Sequence, residues 1–366
     1  MSSEYDIVIV GAGPAGCSAA RTASEKGARV VVVEEHRVVG LPRHCSGRLQ
    51  GSSFTDEIVR SVDPRVILAE CRGRRFYSPS GEMVLEEPVP PKSVYMLVRE
   101  EFDRELARLA AEAGADFVLN TRVTGIIKKQ GVVCGVTTAS RSMPEVSARV
   151  VLCAQGSAGR FNGIARWEGM SSPDEEFAGG VLLELRRVRG LEAGVPEVHL
   201  GNLSEIGFAR IWTRDERSAW VTCPSLQVFE KMRRSNYLYA RRMKEAVAVQ
   251  MHGWTFGSKS GDQLPQLVKD GLMLVGDSAG YTSIIHAVVS GRFAAEVAVE
   301  ALGRGDVGAD SLIGYQRRCE KLGLHRTGLS WKTLNQLKGM SDGQIEARIP
   351  VMIERGELRY LDVLPF

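Results

Sequence analysis

The chain has 366 residues, 47 Lys and Arg against 44 Asp and Glu for a formal net charge of +3, and 44% hydrophobic residues. That length builds more than one hydrophobic core, and the near balance of charge excludes the strongly basic surface of a nucleic-acid binder. No window of about 18 residues is apolar and free of charge, so no membrane-spanning helix is expected. The seven Cys include no CxxC pair, which argues against a metal site and a disulfide framework and fits a reducing cytoplasm.

The acidic MSSEYD start runs straight into the first predicted strand, Tyr5 to Val10, and does not read as a signal peptide. Gly11-Ala12-Gly13-Pro14-Ala15-Gly16 follows and opens a helix of small residues, Cys17 to Lys26, which Gly27 ends. Ala28 to Val33 is a second strand, closed by Glu34 and Glu35. Strand, GxGxxG turn, helix and strand make a βαβ unit. Its glycines allow a tight turn, close approach of backbone to a pyrophosphate, and close helix–strand packing. The helix N-terminus turns its partial positive charge on the phosphates. An acid about 20 residues past the first glycine is placed to bond a ribose hydroxyl pair, which favours an adenine dinucleotide without a 2′-phosphate.

Residues 36 to 51 hold too much Gly and Pro for a helix and present Arg43, His44, Cys45, Ser46 and Gly47 in succession. Arg99 stands at a strand end, before an amphipathic helix from Phe102 to Ala113. A strand from Ala148 to Cys153 leads to Gln155 and Gly156. From roughly 161 to 262 the pattern is that of antiparallel strands, with a turn at Arg214-Asp215-Glu216. Phe208 and Trp212 share one strand face there; packing of a sheet core and lining of an apolar tunnel are both open. Residues 229–251 read as one basic helix with apolar positions at 229, 232, 239, 243 and 247. It is either a surface helix packed on a sheet or one that lies on an anionic membrane. Gly271 to Val275 is a further apolar strand, followed by Gly276-Asp277-Ser278-Ala279-Gly280 and a helix from Val288 to Gly303. The tail, 311–366, is predicted helical to about Lys338, with a capped helix start at Ser341 to Gln344.

A strand ending in Gly-Asp before a helix closes the FAD domain of flavoproteins of the glutathione-reductase type, where the Asp bonds the ribityl chain; the alternative is a simple helix cap. Paired with the N-terminal unit, it makes FAD the expected cofactor rather than NAD. With both anchors in place the chain resembles the geranylgeranyl reductase family of FAD-dependent enzymes, which share the para-hydroxybenzoate hydroxylase fold. The resemblance runs in order from Asp6 to about Gly303. It is carried by GAGPAG, the acid pair after the second strand, P-x-x-C-x-G at Pro42 to Gly47, and Arg99 in VREEFDRELARLAAEAGAD. It continues with VVLCAQGSAGR at 150–160 and LMLVGDSAG with SGRFAAEVA.

The resemblance implies an α/β fold with three parts. A discontinuous Rossmann-type FAD-binding domain takes 1–70, 95–160 and 263–310. An antiparallel-sheet substrate domain takes 71–94 and 161–262, and a helical tail takes 311–366. It implies a Cys loop that reaches the flavin, with Cys45 and His44 as catalytic residues. Cofactor contacts are implied for Gly11, Gly13, Pro14, Ala15, Gly16, Glu34, Glu35, Arg43, Cys45, Ser46, Gly47, Arg99, Val123, Gly156, Gly276, Asp277, Gly280 and His286. Phe208, Trp212 and Trp220, with Ile211, are expected to line a prenyl tunnel, and Arg210, Arg214 and Arg217 to form a basic mouth for an anionic head group.

The chain departs from the family pattern at three places. Gln155 stands where hydroxylases of the superfamily carry an Asp. The aromatic motif of the substrate lobe has altered spacing and no Pro. The turn after Asp277 is short, without the usual Pro and Gly-rich run, and places His286 where backbone donors to the flavin are expected; His286 is either their stand-in or an ordinary helix-start residue. Three functions are therefore open. The first is FAD-dependent reduction of C=C bonds in prenyl lipids or prenyl diphosphates for isoprenoid lipid biosynthesis, with electrons from a separate donor (ferredoxin or NAD(P)H). The second is a flavin monooxygenase or oxidase on another apolar substrate, against which Gln155 counts. The third is a degenerate flavin-binding scaffold or redox partner. A cytoplasmic location with peripheral membrane contact, and no nucleic-acid partner, is expected of the first.

Overall fold

The computed structural model describes residues 5–88, 94–171, 176–203, 207–235, 237–258, 266–324 and 337–358. They form two compact units, and the chain passes through both repeatedly: unit 1 is Met1–Leu41, Glu100–Phe177 and Phe256–Arg326, and unit 2 is Pro42–Arg99, Ala178–Thr255 and Thr327–Phe366. In chain order, β1 (Tyr5–Val10), α1 (Pro14–Glu25) and β2 (Val30–Val33) open unit 1. There follow β3 (Arg48–Leu49), α2 (Thr55–Ser61), β4 (Ile67–Glu70), β5 (Gly73–Tyr77), β6 (Met83–Pro88) and β7 (Tyr95–Leu97) of unit 2. The chain returns to unit 1 with α3 (Arg99–Glu112), β8 (Asp116–Val118), β9 (Val123–Lys129), β10 (Val132–Thr138), β11 (Glu145–Cys153), α4 (Gly156–Asn162) and α5 (Ile164–Trp167). Unit 2 then takes β12 (Glu176–Arg186), β13 (Glu197–Leu200), β14 (Phe208–Thr213), β15 (Ser218–Cys223), α6 (Leu226–Arg233), α7 (Leu238–Met243) and β16 (Val247–Ser258). Last come β17 (Val268–Lys269), β18 (Leu272–Leu274), α8 (Ile284–Arg304) and α9 (Ala309–Leu322) of unit 1, and α10 (Asp342–Glu354) of unit 2.

Unit 1 is built on a sheet of order β17-β18-β11-β1-β2-β8, with β9 and β10 branching from β11. The pairs β18–β11, β11–β1, β1–β2 and β2–β8 are parallel. Strands covered on both faces need unbroken apolar runs, and Val30 to Val33 are all buried. Helices α1 and α8 meet backbone to backbone: a Cβ on Gly291 would sit 2.1 Å from the Ala15 carbonyl oxygen. This is why the two helices read as small-residue segments.

Unit 2 holds a seven-stranded sheet of order β16-β12-β15-β14-β13-β5-β6 and a three-stranded sheet, β3-β7-β4. Its hairpin β14–β15 pairs Trp212 directly with Trp220, and the chain reverses at Arg214-Asp215 as the sequence pattern predicts, Arg214 N–H donating to the Ser218 carbonyl. Alternation sorts the side chains. Leu183, Leu185, Ile211 and Val221 pack with Phe229, Met232, Tyr239 and Met243 of α6 and α7, while Leu182, Trp212 and Trp220 pack with Val94, Met96 and Cys71.

Segments 42–70 and 95–99, grouped above with the cofactor domain, cluster with unit 2. The single basic helix expected over 229–251 is corrected to two short helices and a strand. Ser235 Oγ–H closes α6 on the Met232 carbonyl, α7 starts afresh at Leu238, and Val247, Val249 and Met251 alternate as strand residues in β16. The capped start at Ser341 is observed, with Ser341 N–H donating to Gln344 Oε1 at 2.8 Å and Gln344 N–H returning to Ser341 Oγ. The stretch 325–336 of the tail, expected to be helical, lies outside the described residues, as does 359–366.

Candidate functional site

The cradle of unit 1 is made of backbone. Gly11 has φ of 106°, and a Cβ there would lie 2.5 Å from the Ala154 carbonyl oxygen; a Cβ on Gly16 would lie 1.9 Å from the Gly11 carbonyl oxygen. Both glycines are therefore required by the fold. Gly13 differs: nothing lies within 4 Å of a Cβ built on it, so this side of the turn is open to an approaching group. Gly13 is the N-cap of α1, Pro14 fills its first turn, and no side chain caps it, which leaves backbone donors and the positive end of the helix facing outward.

Glu34 ends β2 with little exposure. Its Oε2 accepts from Ala12 N–H at 2.7 Å and its Oε1 from His36 N–H at 2.9 Å, with His36 Nδ1 2.6 Å away. The carboxylate so ties the glycine turn to the strand end and retains lone pairs for a ribose. Glu35 instead pairs with Arg122 at the surface, 2.8 Å. Val123 is buried at the start of β9, beside the strand end that Thr121 N–H secures on the Glu34 carbonyl.

The second half of the cradle is the turn after β18. Gly276 and Gly280 take φ of 59° and 81°, Gly276 N–H donates to Ser290 Oγ at 3.0 Å, and Ser278 Oγ–H donates to the Gly156 carbonyl at 3.0 Å. Ser157 Oγ–H reaches Asp277 Oδ2 at 3.4 Å. The ends of β1, β11 and β18 so converge at the carboxyl edge of a parallel sheet, the place where such sheets bind ligands. Gln155 is turned inward: its Oε1 accepts from Ile164 N–H at 3.0 Å and lies 3.5 Å from Cys153 Sγ, bracing the α4–α5 bend. His286 lies in the first turn of α8, its N–H capped by Ser283 Oγ. Its Nδ1 is buried without a partner among the described residues, and burial drops the imidazole to about 4, so the ring is neutral at physiological pH. These features fit an adenine dinucleotide: an open glycine flank at a helix start, an acid for the ribose, and a buried ring nitrogen lacking a bond.

Unit 2 carries the other predicted residues. Arg43 is buried, its guanidinium stacked 3.6 Å above the Trp220 ring, and its Nε–H reaches the Cys45 carbonyl at 3.4 Å. Cys45 is half-buried and its Sγ accepts from Gly47 N–H at 3.5 Å. His44 is exposed, with Nδ1 3.2 Å from the Pro42 carbonyl. Ser46 and Arg99 are buried. Gly47, at φ 91°, lets the loop meet β7; a Cβ there would strike the Leu97 carbonyl oxygen at 2.2 Å.

Phe208, Arg210 and Trp212 share one face of β14, with the Arg210 guanidinium 5.0 Å from the Phe208 ring centre and 5.7 Å from that of Trp212. Arg48 approaches Trp212 at 5.7 Å. Trp212 and Trp220 are 1% and 0% exposed, and neither indole N–H has a partner among the described residues. The basic mouth is thus corrected. Arg210, 2% exposed, points into the aromatic layer, Arg214 pairs with Glu184 at 2.8 Å, and Ile211 faces the opposite core. The stacking of Arg43 on Trp220 was not readable in the sequence, because the two lie far apart in the chain and meet only through the fold.

The fold and cradle define a dinucleotide-binding flavoprotein. The sequence pattern of the Pyridine nucleotide-disulphide oxidoreductase family matches residues 5–179. The chain is 31% identical to the digeranylgeranylglycerophospholipid reductase of Methanothrix thermoacetophila, over 86% of this chain and 82% of that one. It is 33% identical to the same-named protein of Methanocella arvoryzae over the same shares. A geranylgeranyl bacteriochlorophyll reductase-like protein from Thermoplasma acidophilum matches with a TM-score of 0.81 and 25% identity, covering 94% of this chain and 90% of that one. The chain belongs to the geranylgeranyl reductase family; it is a flavin-dependent oxidoreductase, and its cofactor is FAD. Among the described residues no helix is long and apolar enough to cross a membrane.

Proposed function

We propose that the protein reduces C=C bonds of prenyl chains carried on an anionic head group, a prenyl phospholipid or a prenyl diphosphate. One observation carries the reading. Two fully buried indoles in unit 2 are flanked by three guanidinium groups, Arg43, Arg48 and Arg210, in a chain whose matched relatives are reductases of a digeranylgeranyl phospholipid. Apolar faces beside cations suit a substrate that is a hydrocarbon with an anionic end.

When bound and reduced, FAD supplies the hydride. An isolated alkene has no carbonyl to accept electron density, so the carbon opposite the hydride must gain a proton. We assign that proton to Cys45 Sγ–H, with the exposed His44 as the group that returns a proton from solvent to the thiolate. Glu34 and the Gly11–Gly16 turn hold the adenosine end, and Asp277 with Ser157 holds the ribityl side. His286, neutral and with no bond at Nδ1 among the described residues, takes the place of the backbone donors that the shortened turn lacks. The inward set of Gln155 supports a separate electron donor, ferredoxin or NAD(P)H, rather than a hydroxylase cycle.

The test is anaerobic. Photoreduced protein is mixed with geranylgeranyl diphosphate or an unsaturated archaeal-type phospholipid. The flavin spectrum should return as the lipid gains two hydrogens per bond by mass spectrometry. A spectrum that stays bleached with every prenyl compound, and no saturated product, would exclude the reductase reading.

A further inference from the structure

We infer that β16 and the basic helices before it form a surface that docks on an anionic lipid bilayer; the inference rests on the lipid substrate proposed above. β16 is the end strand of the seven-stranded sheet. Residues 247–251 are exposed on both faces of the strand, and Val247, Val249 and Met251, on one face, are 46%, 45% and 56% exposed. An open edge carrying alternate large apolar side chains is a liability that soluble folds blunt with charge or cover. Leu226, at the start of α6, is exposed to a similar degree.

The charge around this strand identifies its occupant. Residues 226–251 hold six basic and two acidic side chains, a net of +4, whereas the whole chain is +3. The rest of the protein is therefore close to neutral and slightly acidic. Arg234, Lys231, Arg241 and Lys244 are exposed, and Arg233 Nη1 donates to the Ala246 carbonyl at 3.2 Å, which fixes the end of α6 at the head of the strand. Apolar side chains beside a cluster of cations match the boundary between acyl chains and anionic head groups. A second copy of the chain is the other natural partner of an open edge, but pairing two such surfaces would set like charges together. The outward N–H and C=O groups of an end strand also restrict depth: they stay in the hydrated head-group layer while Val247, Val249 and Met251 dip below it. Docked there, the enzyme meets its substrate where the lipid already is.

Flotation of the FAD-loaded full chain with phosphatidylcholine vesicles, with and without phosphatidylglycerol, tests this. Binding should need phosphatidylglycerol and weaken as salt rises. Val247→Ser/Val249→Ser/Met251→Ser and, separately, Lys231→Glu/Arg234→Glu/Lys244→Glu should each lower partitioning by at least about tenfold. Both variants should reduce detergent-dispersed substrate at the wild-type rate and vesicle-embedded substrate more slowly. Wild-type protein that does not float, or variants that float equally, would overturn the inference. So would a wild-type dimer that the triple Ser variant abolishes in sedimentation equilibrium, since the occupant would then be a second copy. If the triple Ser variant loses its fold, the charge variant decides alone. Should wild-type protein reduce neither substrate, the proposed function fails, while flotation still decides the docking.

Discussion

The two functional regions are built from different materials. The cradle of unit 1 is backbone: two glycines forced by carbonyl contacts, one glycine left open, and a carboxylate bonded to the turn it supports. The substrate face we propose in unit 2 is side chain: two indoles, three guanidiniums and a thiol, gathered from Arg43 to Trp220. A dinucleotide presents the same phosphates to every protein that binds it, and backbone geometry recognises them with little variation. A hydrocarbon substrate offers no such handle, and shape and local charge must come from side chains. The contrast teaches that conserved spacing is to be sought in the first region and chemistry of residue type in the second.

The contrast can be broken most severely at Cys45. Cys45→Ala should slow alkene reduction by about 10²–10⁴-fold and leave FAD affinity within a factor of a few, measured by single-turnover reoxidation and by flavin titration. Equal rates would remove the thiol from the chemistry.

The next largest effect lies deep in unit 2. Glu197 and His199 are buried, Arg242 pairs with both Glu197 oxygens at 2.8 and 3.0 Å, and His199 Nε2 lies 2.9 Å from Glu197. Arg242→Met leaves the buried carboxylate with only the His199 ring and no cation, and should cost about 3–5 kcal/mol of stability. Chemical denaturation reads the loss; a variant within experimental error of wild type would show that His199 alone satisfies Glu197.

Each unit also holds one buried imidazole held below its ordinary value, His286 and His199, by burial in both cases. The unfolded His takes up a proton near 6.5 and folded His286 only near 4. Between these values the unfolded state binds more protons, so stability falls as pH drops through that window and is fully present above it. The loss at His286 amounts to at most about 3 kcal/mol. His286→Gln should remove that share of the pH slope in a series of melting curves, and the residual slope belongs to unit 2.

The smallest effect separates two neighbouring glycines. Gly16→Ala must displace backbone and should destabilise the apoprotein by about 1–3 kcal/mol. Gly13→Ala meets nothing and should leave the apoprotein melting curve unchanged, yet weaken FAD binding if the pyrophosphate lies on its open side as we propose. Equal FAD affinity in Gly13→Ala would place the pyrophosphate elsewhere.

Much of unit 1 was legible because its signals are local. The strand, turn, helix and acid from Tyr5 to Glu34, and the Gly276-Asp277 turn, all appear where spacing puts them. Unit 2 was legible only as a hairpin. Val247 continues a helical spacing from Tyr239 and Met243, and it also begins the two-residue alternation through Val249 and Met251, so the same residues satisfied both periods. The break at Ser235 decided between them. Arg210 read as part of a basic mouth because arginines are seldom buried; its inward set depends on the aromatic neighbours that only the sheet brings together. Gln155 showed an altered residue but not the α4–α5 bend that it braces.

The threaded course of the chain sets a schedule for its synthesis. β1 pairs with β11, Tyr5 beside Ala148, and β11 with β18, Val151 beside Leu272. β2 reaches β1 within a few seconds, but at a ribosomal rate of about 10 residues per second β1 waits roughly 15 s for its other neighbour, β11, and β18 follows roughly 12 s later. Until then the apolar strands β1 and β2 leave the ribosome without a finished sheet to enter. Nascent chains of this protein should therefore lean on chaperones that mask exposed strands, and neither unit can be expressed as a simple truncation.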